Sequence, residues 1–374
     1  MSSTAGGYLP TTFGTKPALD GLRAVAVLAV IAFHFGATQM QGGFLGVDLF
    51  FVLSGYLITS LLVVEWGGSG TIEFVAFWGR RARRLLPALV LVVVVVAVWA
   101  ALAAPSDRLD AIRLDGIWTL FYGANWHLII SDQSYFELVS ETSPFRHVWS
   151  LAIEEQFYLL WPLVAFATLR AARGRTWLLA TLCGVGLVAS ATAMGLLYDS
   201  FDPSRAYYGT DARAHGLLIG ALLALLLARR PGLRSATPWL QWIGAVAAIG
   251  VVAMFTTSSS TASWLYPGGF LAFEIAVAVV IAAVIQPSSS PLTAALSWRS
   301  VRWIGAISYG LYLWHWPVAI AISEGRTRLG GWELAGLRLA TTFALATVSY
   351  YIVELPIRQR RWPRGRVAWI AAPV

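Results

Sequence analysis

Residues 85–104 read LLPALVLVVVVVAVWAALAA. Twenty consecutive residues without a charge, at about 1.5 Å of helical rise each, cover the roughly 30 Å of hydrocarbon in a bilayer. Immediately before them stands GRRARR at 79–84, a block of arginine of the kind that stays on the cytoplasmic side of a span. The pairing of an arginine block with an apolar twenty-mer defines one crossing and its direction.

Further apolar stretches appear on both sides of this one, at 20–37, 44–64, 148–168, 177–197, 213–228, 238–256, 264–286, 303–323 and 332–353. With 85–104 they make about ten candidate transmembrane helices and an all-α, polytopic membrane bundle. Composition agrees: 57% of the 374 residues are hydrophobic and 12% charged, against about 45–50% and about 25% in ordinary soluble domains. A soluble globular enzyme is thereby excluded. The 34 glycines and 18 tryptophans suit close helix packing and interfacial anchoring.

A weaker segment, GIWTLFYGANWHLII at 116–130, is settled by charge. If it does not cross, nineteen of the 27 basic residues fall in cytoplasmic loops; if it crosses, thirteen of those move outside. The segment is therefore expected to be re-entrant or interfacial. Both termini are then cytoplasmic, in a multi-pass protein of the plasma membrane with membrane lipid around it. The net charge of +8 is distributed as topology signals, which removes the argument for a nucleic-acid partner. The N-terminus has no basic region leading to a cleavage site and reads as a short cytoplasmic lead. Residues 1–358 form the expected membrane domain. Residues 359–374 read as a basic cytoplasmic tail and the start of a truncated eleventh span.

The single Cys183 excludes an intrachain disulfide and a cysteine-ligated zinc site, so no metal is expected. Chemistry must come from ionisable groups inside the spans, each costing roughly 2.5–3.5 kcal/mol at a helix centre. Arg23 and His34 lie about three turns apart on one helix face. Asp48 starts the next span on the same side as His34, where a carboxylate on one ring nitrogen would make the imidazole a general base. Glu154 and Glu155 point about 100° apart, so both are not expected to line one narrow cavity; one is a catalytic candidate and the other faces an arginine such as Arg146 or Arg338. His315 precedes Pro317 and is as well explained by structure as by substrate contact. The run containing Arg80, Arg81 and Arg84 is either a topology signal or a cradle for phosphates.

Six segments in order carry a resemblance to the acyltransferase-3 family of integral membrane acyltransferases. They are LDGLRAVAVLAVIAFHF, GGFLGVDLFFVLSGYLIT, GRRARRLLP, SPFRHVWSLAIEEQFYLLWP, ISYGLYLWHWP and VELPIR. The resemblance implies transfer of an acyl group, commonly acetyl, from cytoplasmic acyl-CoA to a hydroxyl of a glycan or glycolipid at the outer face. By motif position it implies His34 with Arg23, Arg81 and Arg84 as functional residues. Trp149, Glu155, His315 and Arg338 are expected to meet the acceptor. Some members work with an external SGNH-type domain, fused or separate. The competing reading is a transporter or flippase for a lipid-linked glycan, which calls for inverted repeats that are not visible here. A scaffold without chemistry leaves the buried His and carboxylates unexplained.

Overall fold

In the computed structural model, residues 14, 16–131, 143–229, 238–287 and 290–360 are described, and they form helices joined by short connections. The helices in chain order are α1 Pro17–His34, α2 Gly46–Ser69, α3 Phe74–Ala103, α4 Leu109–Leu120, α5 Ala124–Ile130 and α6 Trp149–Ala171. They continue with α7 Trp177–Leu197, α8 Ser204–Tyr208, α9 Thr210–Arg229, α10 Pro238–Thr257, α11 Gly269–Val284 and α12 Pro291–Leu296. The last are α13 Arg299–Ala306, α14 Ser308–Ala321, α15 Glu324–Thr327, α16 Gly331–Ser349 and, after a π turn at Tyr350–Glu354, α17 Leu355–Arg358. The expected tail beyond residue 360 lies outside the described residues.

Every apolar stretch expected to cross is helical. Among the described residues seven helical segments are long and apolar enough to span a membrane. The other three expected spans fall short for identifiable reasons. α6 carries Glu154 and Glu155 about two turns from its start, and α11 has 16 residues. The stretch 303–323, expected as one span, is broken at Ile307 into α13 and the 14-residue α14.

The segment 116–130 also resolves into two pieces, the end of α4 and all of α5, separated by a turn at 121–123 in which Tyr122 takes a left-handed backbone (φ +54°). Gln156 donates its side-chain amide to the Tyr122 carbonyl at 2.9 Å. Gln156 is seven residues into α6, about 10 Å below its start. The pair is thus a hairpin dipping into the bundle, in keeping with the re-entrant expectation.

Small residues let the central helices touch backbone to backbone. A Cβ on Gly55 of α2 would stand 1.9 Å from the Leu217 carbonyl oxygen of α9, and one on Gly220 would stand 2.1 Å from the Val52 carbonyl oxygen. These reciprocal contacts hold α2 and α9 at the centre. On the outside, Val90, Val94, Val98 and Leu102 form a four-residue-spaced stripe on α3 that is 46–83% exposed, an apolar face suited to lipid. Lys16, Arg81, Arg84, Arg302 and Arg358 line one cavity, so the approach to α1, the start of α3, α13 and α17 share one end of the bundle. His34, His147 and His315 meet toward the other.

Candidate active site

His34 is the last residue of α1, and its Nδ1 lies 3.0 Å from Nε2 of His315 on α14. The two rings stack at 5.0 Å. His315 Nδ1 in turn lies 2.6 Å from the Tyr312 carbonyl oxygen. A carbonyl only accepts, so His315 carries its proton on Nδ1 and, when neutral, presents Nε2 as an acceptor. His34 must then donate from Nδ1, which leaves the basic lone pair on its Nε2. Trp316 packs edge-on to His34 at 4.8 Å and is itself held by donation from its indole nitrogen to the Ser143 carbonyl. His147 closes the third side, 5.2 Å from His315 between ring centres.

The expected pairing of His34 with Asp48 does not occur. Asp48 is fully buried with its Oδ1 2.7 Å from Nη2 of the equally buried Arg213. A permanently charged guanidinium is a stronger partner for a buried carboxylate than a neutral imidazole. Arg213 is boxed by aromatic rings, Phe270 at 4.3 Å, Tyr207 at 5.0 Å, and Phe51 and Trp149 at 5.7 Å. Trp149 is thus a wall of this box. Beside it, Glu274 and His215 form a second buried pair at 2.5 Å. None of these groups lines the cavities described next.

A cavity lies inside the bundle between α2, α3, α6 and α14. One face of α2 supplies Val47, Phe50, Ser54 and Leu57, at helical spacing. Glu154, Glu155 and Tyr158 come from α6, Arg81 and Arg84 from α3, and Arg23 from α1. Both glutamates line it, against the expectation from their 100° separation; the cavity is wide enough to touch two adjacent faces of α6. Glu154 Oε2 accepts from Ser54 and Tyr158 hydroxyls, both at 2.8 Å, and neither Arg146 nor Arg338 is its partner. Arg146 lines a separate small cavity with Asp115 and His127. Arg338 donates to the Ile322 and Ala319 carbonyls at 2.8 and 3.2 Å, closing the end of α14.

Toward the arginine end this cavity meets a broad vestibule. Arg23, Arg81, Arg84 and Leu57 line both, and Arg23 donates to the Ser308 hydroxyl at 3.2 Å. Arg80 also lines the vestibule, but it is half-exposed and ion-paired with Glu65 at 3.3 Å. Toward the histidine end the cavity stops at Ser150 and Tyr312, whose hydroxyls are 2.6 Å apart. Tyr312 is the residue whose carbonyl fixes His315, so the cavity ends one residue from the His34 pair. Ser54, Tyr158, Ser150, Tyr312 and Arg213 were not singled out from sequence, although the 47, 50, 54, 57 spacing on α2 was there to be read as a lining face.

A family model described as an acyltransferase domain matches residues 16–354. The chain belongs to the acyltransferase-3 family. Among its curated acyltransferase-3 relatives, YrhL of Bacillus subtilis, named as a candidate peptidoglycan O-acetyltransferase, is 42% identical over 353 residues, covering 91% of this chain and 55% of the relative. The peptidoglycan O-acetyltransferase OatA of Listeria monocytogenes is 40% identical over 350 residues, covering 92% and 56%. A Staphylococcus aureus protein named as a candidate O-acetyltransferase is 37% identical over 352 residues, covering 92% and 57%. The chain spans a little over half the length of these acyltransferase-3 relatives. No solved structure matches it significantly.

Proposed function

We propose that the chain is a membrane-embedded O-acyltransferase that takes an acyl group, acetyl above all, from acyl-CoA at the arginine end. It delivers the group to a hydroxyl of a glycan or glycolipid acceptor at the histidine end. The observation that carries this reading is the sharing of Arg23, Arg81 and Arg84 between the vestibule and the inner cavity that ends beside Tyr312. Phosphates cannot enter hydrocarbon, whereas guanidinium forks hold them at the mouth of a passage. The narrow pantetheine arm then lies in the inner cavity, with its amides among the Ser54, Ser308 and Tyr158 hydroxyls. The relatives' names supply the acceptor class, peptidoglycan, and the arginine loops supply the orientation, with the vestibule cytoplasmic. An extracytoplasmic SGNH-type domain, fused or separate, belongs to the same proposal.

In the reaction His34 Nε2 takes the proton of the acceptor hydroxyl as its oxygen attacks the thioester carbonyl. The carbon–sulfur bond breaks, and the CoA thiolate leaves with the proton returned from His34. His315 stabilises the imidazolium through the hydrogen bond from His34 Nδ1, a positioning role filled elsewhere by a carboxylate. The test is sidedness. In sealed, oriented vesicles acyl-CoA is expected to work only from the vestibule side and the acceptor only from the other. Transfer with both confined to one side overturns this reading.

A further inference from the structure

The vestibule holds more cations than a diphosphate requires. Lys16, Arg23, Arg80, Arg81, Arg83, Arg84, Arg302, Arg358 and Arg360 line it, against the single acid Asp20 among the described residues. Three of these, Arg23, Arg81 and Arg84, also line the inner cavity and so stand at the throat between the two. The others line the vestibule alone. Lys16 is spent on the Ile285 carbonyl at 3.0 Å and Arg80 on Glu65. Arg302 on α13 and Arg358 on α17 are exposed, and neither has a carboxylate within ion-pair distance among the described residues.

Four helices from separate parts of the chain, α1, α3, α13 and α17, thus direct basic groups to one cavity in two tiers. Like charges gathered with so little acid repel one another, and an anion of matching shape relieves that cost. A topology signal needs basic residues on the correct side of the membrane; it does not need them to converge from four helices on one cavity.

We infer that the vestibule is a two-tier phosphate site, in which Arg302 and Arg358 at the rim bind a phosphomonoester separate from the diphosphate held at the throat. This rests on the acyl-CoA reading and deepens it. In CoA the order along the molecule is thiol, pantetheine, 5′-diphosphate, ribose and 3′-phosphate. With the pantetheine arm in the inner cavity, the diphosphate falls at Arg23, Arg81 and Arg84. The 3′-phosphate, one ribose further out, falls at the rim. The rim arginines therefore select CoA over donors that lack the 3′-phosphate, while the throat arginines cannot tell the two apart.

Binding of CoA and of 3′-dephospho-CoA to the purified full chain in detergent tests this without knowledge of the acceptor. The wild-type chain is expected to bind CoA at least about tenfold more tightly, the size of one charge-assisted phosphate contact. The Arg302→Gln/Arg358→Gln double variant should weaken CoA by that factor, leave 3′-dephospho-CoA unchanged and so erase the preference. Lysine at both positions should retain part of it. Arg81→Gln should weaken both ligands alike and keep the ratio. Equal binding of the two ligands by the wild-type chain, or an equal loss of both in the rim variant, overturns the inference and leaves the acyl-CoA reading standing. Failure of the wild-type chain to bind either ligand removes the acyl-CoA reading, and the rim site with it.

Discussion

His34 Nδ1 and His315 Nε2 lie 3.0 Å apart, and the second imidazole is fixed in turn by the Tyr312 carbonyl. This makes the two histidines unequal, His34 with its lone pair on Nε2 and His315 accepting from it. His34→Ala is expected to lower transfer by about 10²–10⁴-fold, the range for loss of a general base, with expression and helicity unchanged. His315→Ala should lower kcat while leaving the KM for acyl-CoA as it is, and His315→Gln, which keeps an acceptor near His34, should recover part of the loss. Steady-state kinetics on protein checked by circular dichroism decides it. A fully active His34→Ala variant would remove the base from the mechanism.

On the proposed function the throat arginines are expected to act on the donor alone. Replacing Arg81 or Arg84 by Gln should raise the KM for acyl-CoA about tenfold or more, corresponding to a charge-assisted hydrogen bond of about 1.5–3 kcal/mol, with the acceptor KM unchanged. Arg80→Gln should have a much smaller effect, because its guanidinium is half-exposed and engaged by Glu65. Equal effects from all three would mean that the run acts on topology and not on the ligand.

Paired with Arg213 and not with His34, Asp48 is expected to serve stability and not proton transfer. Asp48→Asn leaves Arg213 without its counter-charge among four aromatic rings, and breaking a buried pair costs about 3–5 kcal/mol. A large fall in thermal midpoint in detergent is expected, with an unchanged pH dependence of the activity that remains. Double replacement of Asp48 by Asn and Arg213 by Met should be milder than Asp48→Asn alone. A normal midpoint with an altered pH profile would return Asp48 to the His34 chemistry.

Gly220→Val tests the central helix contact. Its Cβ would meet the Val52 carbonyl at 2.1 Å and the Tyr56 backbone nitrogen at 2.6 Å, and backbone cannot rotate aside as a side chain can. Overpacking of about 1–3 kcal/mol is the lower bound, seen as a lower thermal midpoint or loss of folded protein. Gly250→Ala, where nothing lies within 4 Å, is the control expected to change little.

Much of this architecture is legible in the sequence because lipid imposes one demand, a long apolar helix, on every crossing. Residues 85–104 announce α3, and the charge balance around 116–130 sets that segment apart from the long helices, where the structure has the hairpin of α4 and α5. Side-chain pairing was less legible. Asp48 sits fourteen residues from His34 in sequence, yet its partner Arg213 is 165 positions away on α9, and nothing local distinguishes the two choices. Glu154 and Glu155 misled for a geometric reason: a 100° separation excludes a shared slot, but not a cavity broad enough to border two faces of one helix. His315 was ambiguous because Pro317 explains a local break equally well with or without chemistry.

The hairpin formed by α4 and α5 is held at two points, the Tyr122 carbonyl and the Asn125 side chain. Gln156 grips the Tyr122 carbonyl, and Asn125 reaches outward to the Tyr208 carbonyl at 3.1 Å and the Thr210 hydroxyl at 2.9 Å. Anchorage of this kind is nearly indifferent to the side chains that the rest of the hairpin carries. Leu120, a little over a third exposed, and Phe121, 78% exposed, can therefore be exchanged for other residues without shifting where the hairpin sits. The molecule thus separates a fixed inner cavity from a surface near its histidine end whose chemical character is free to diversify.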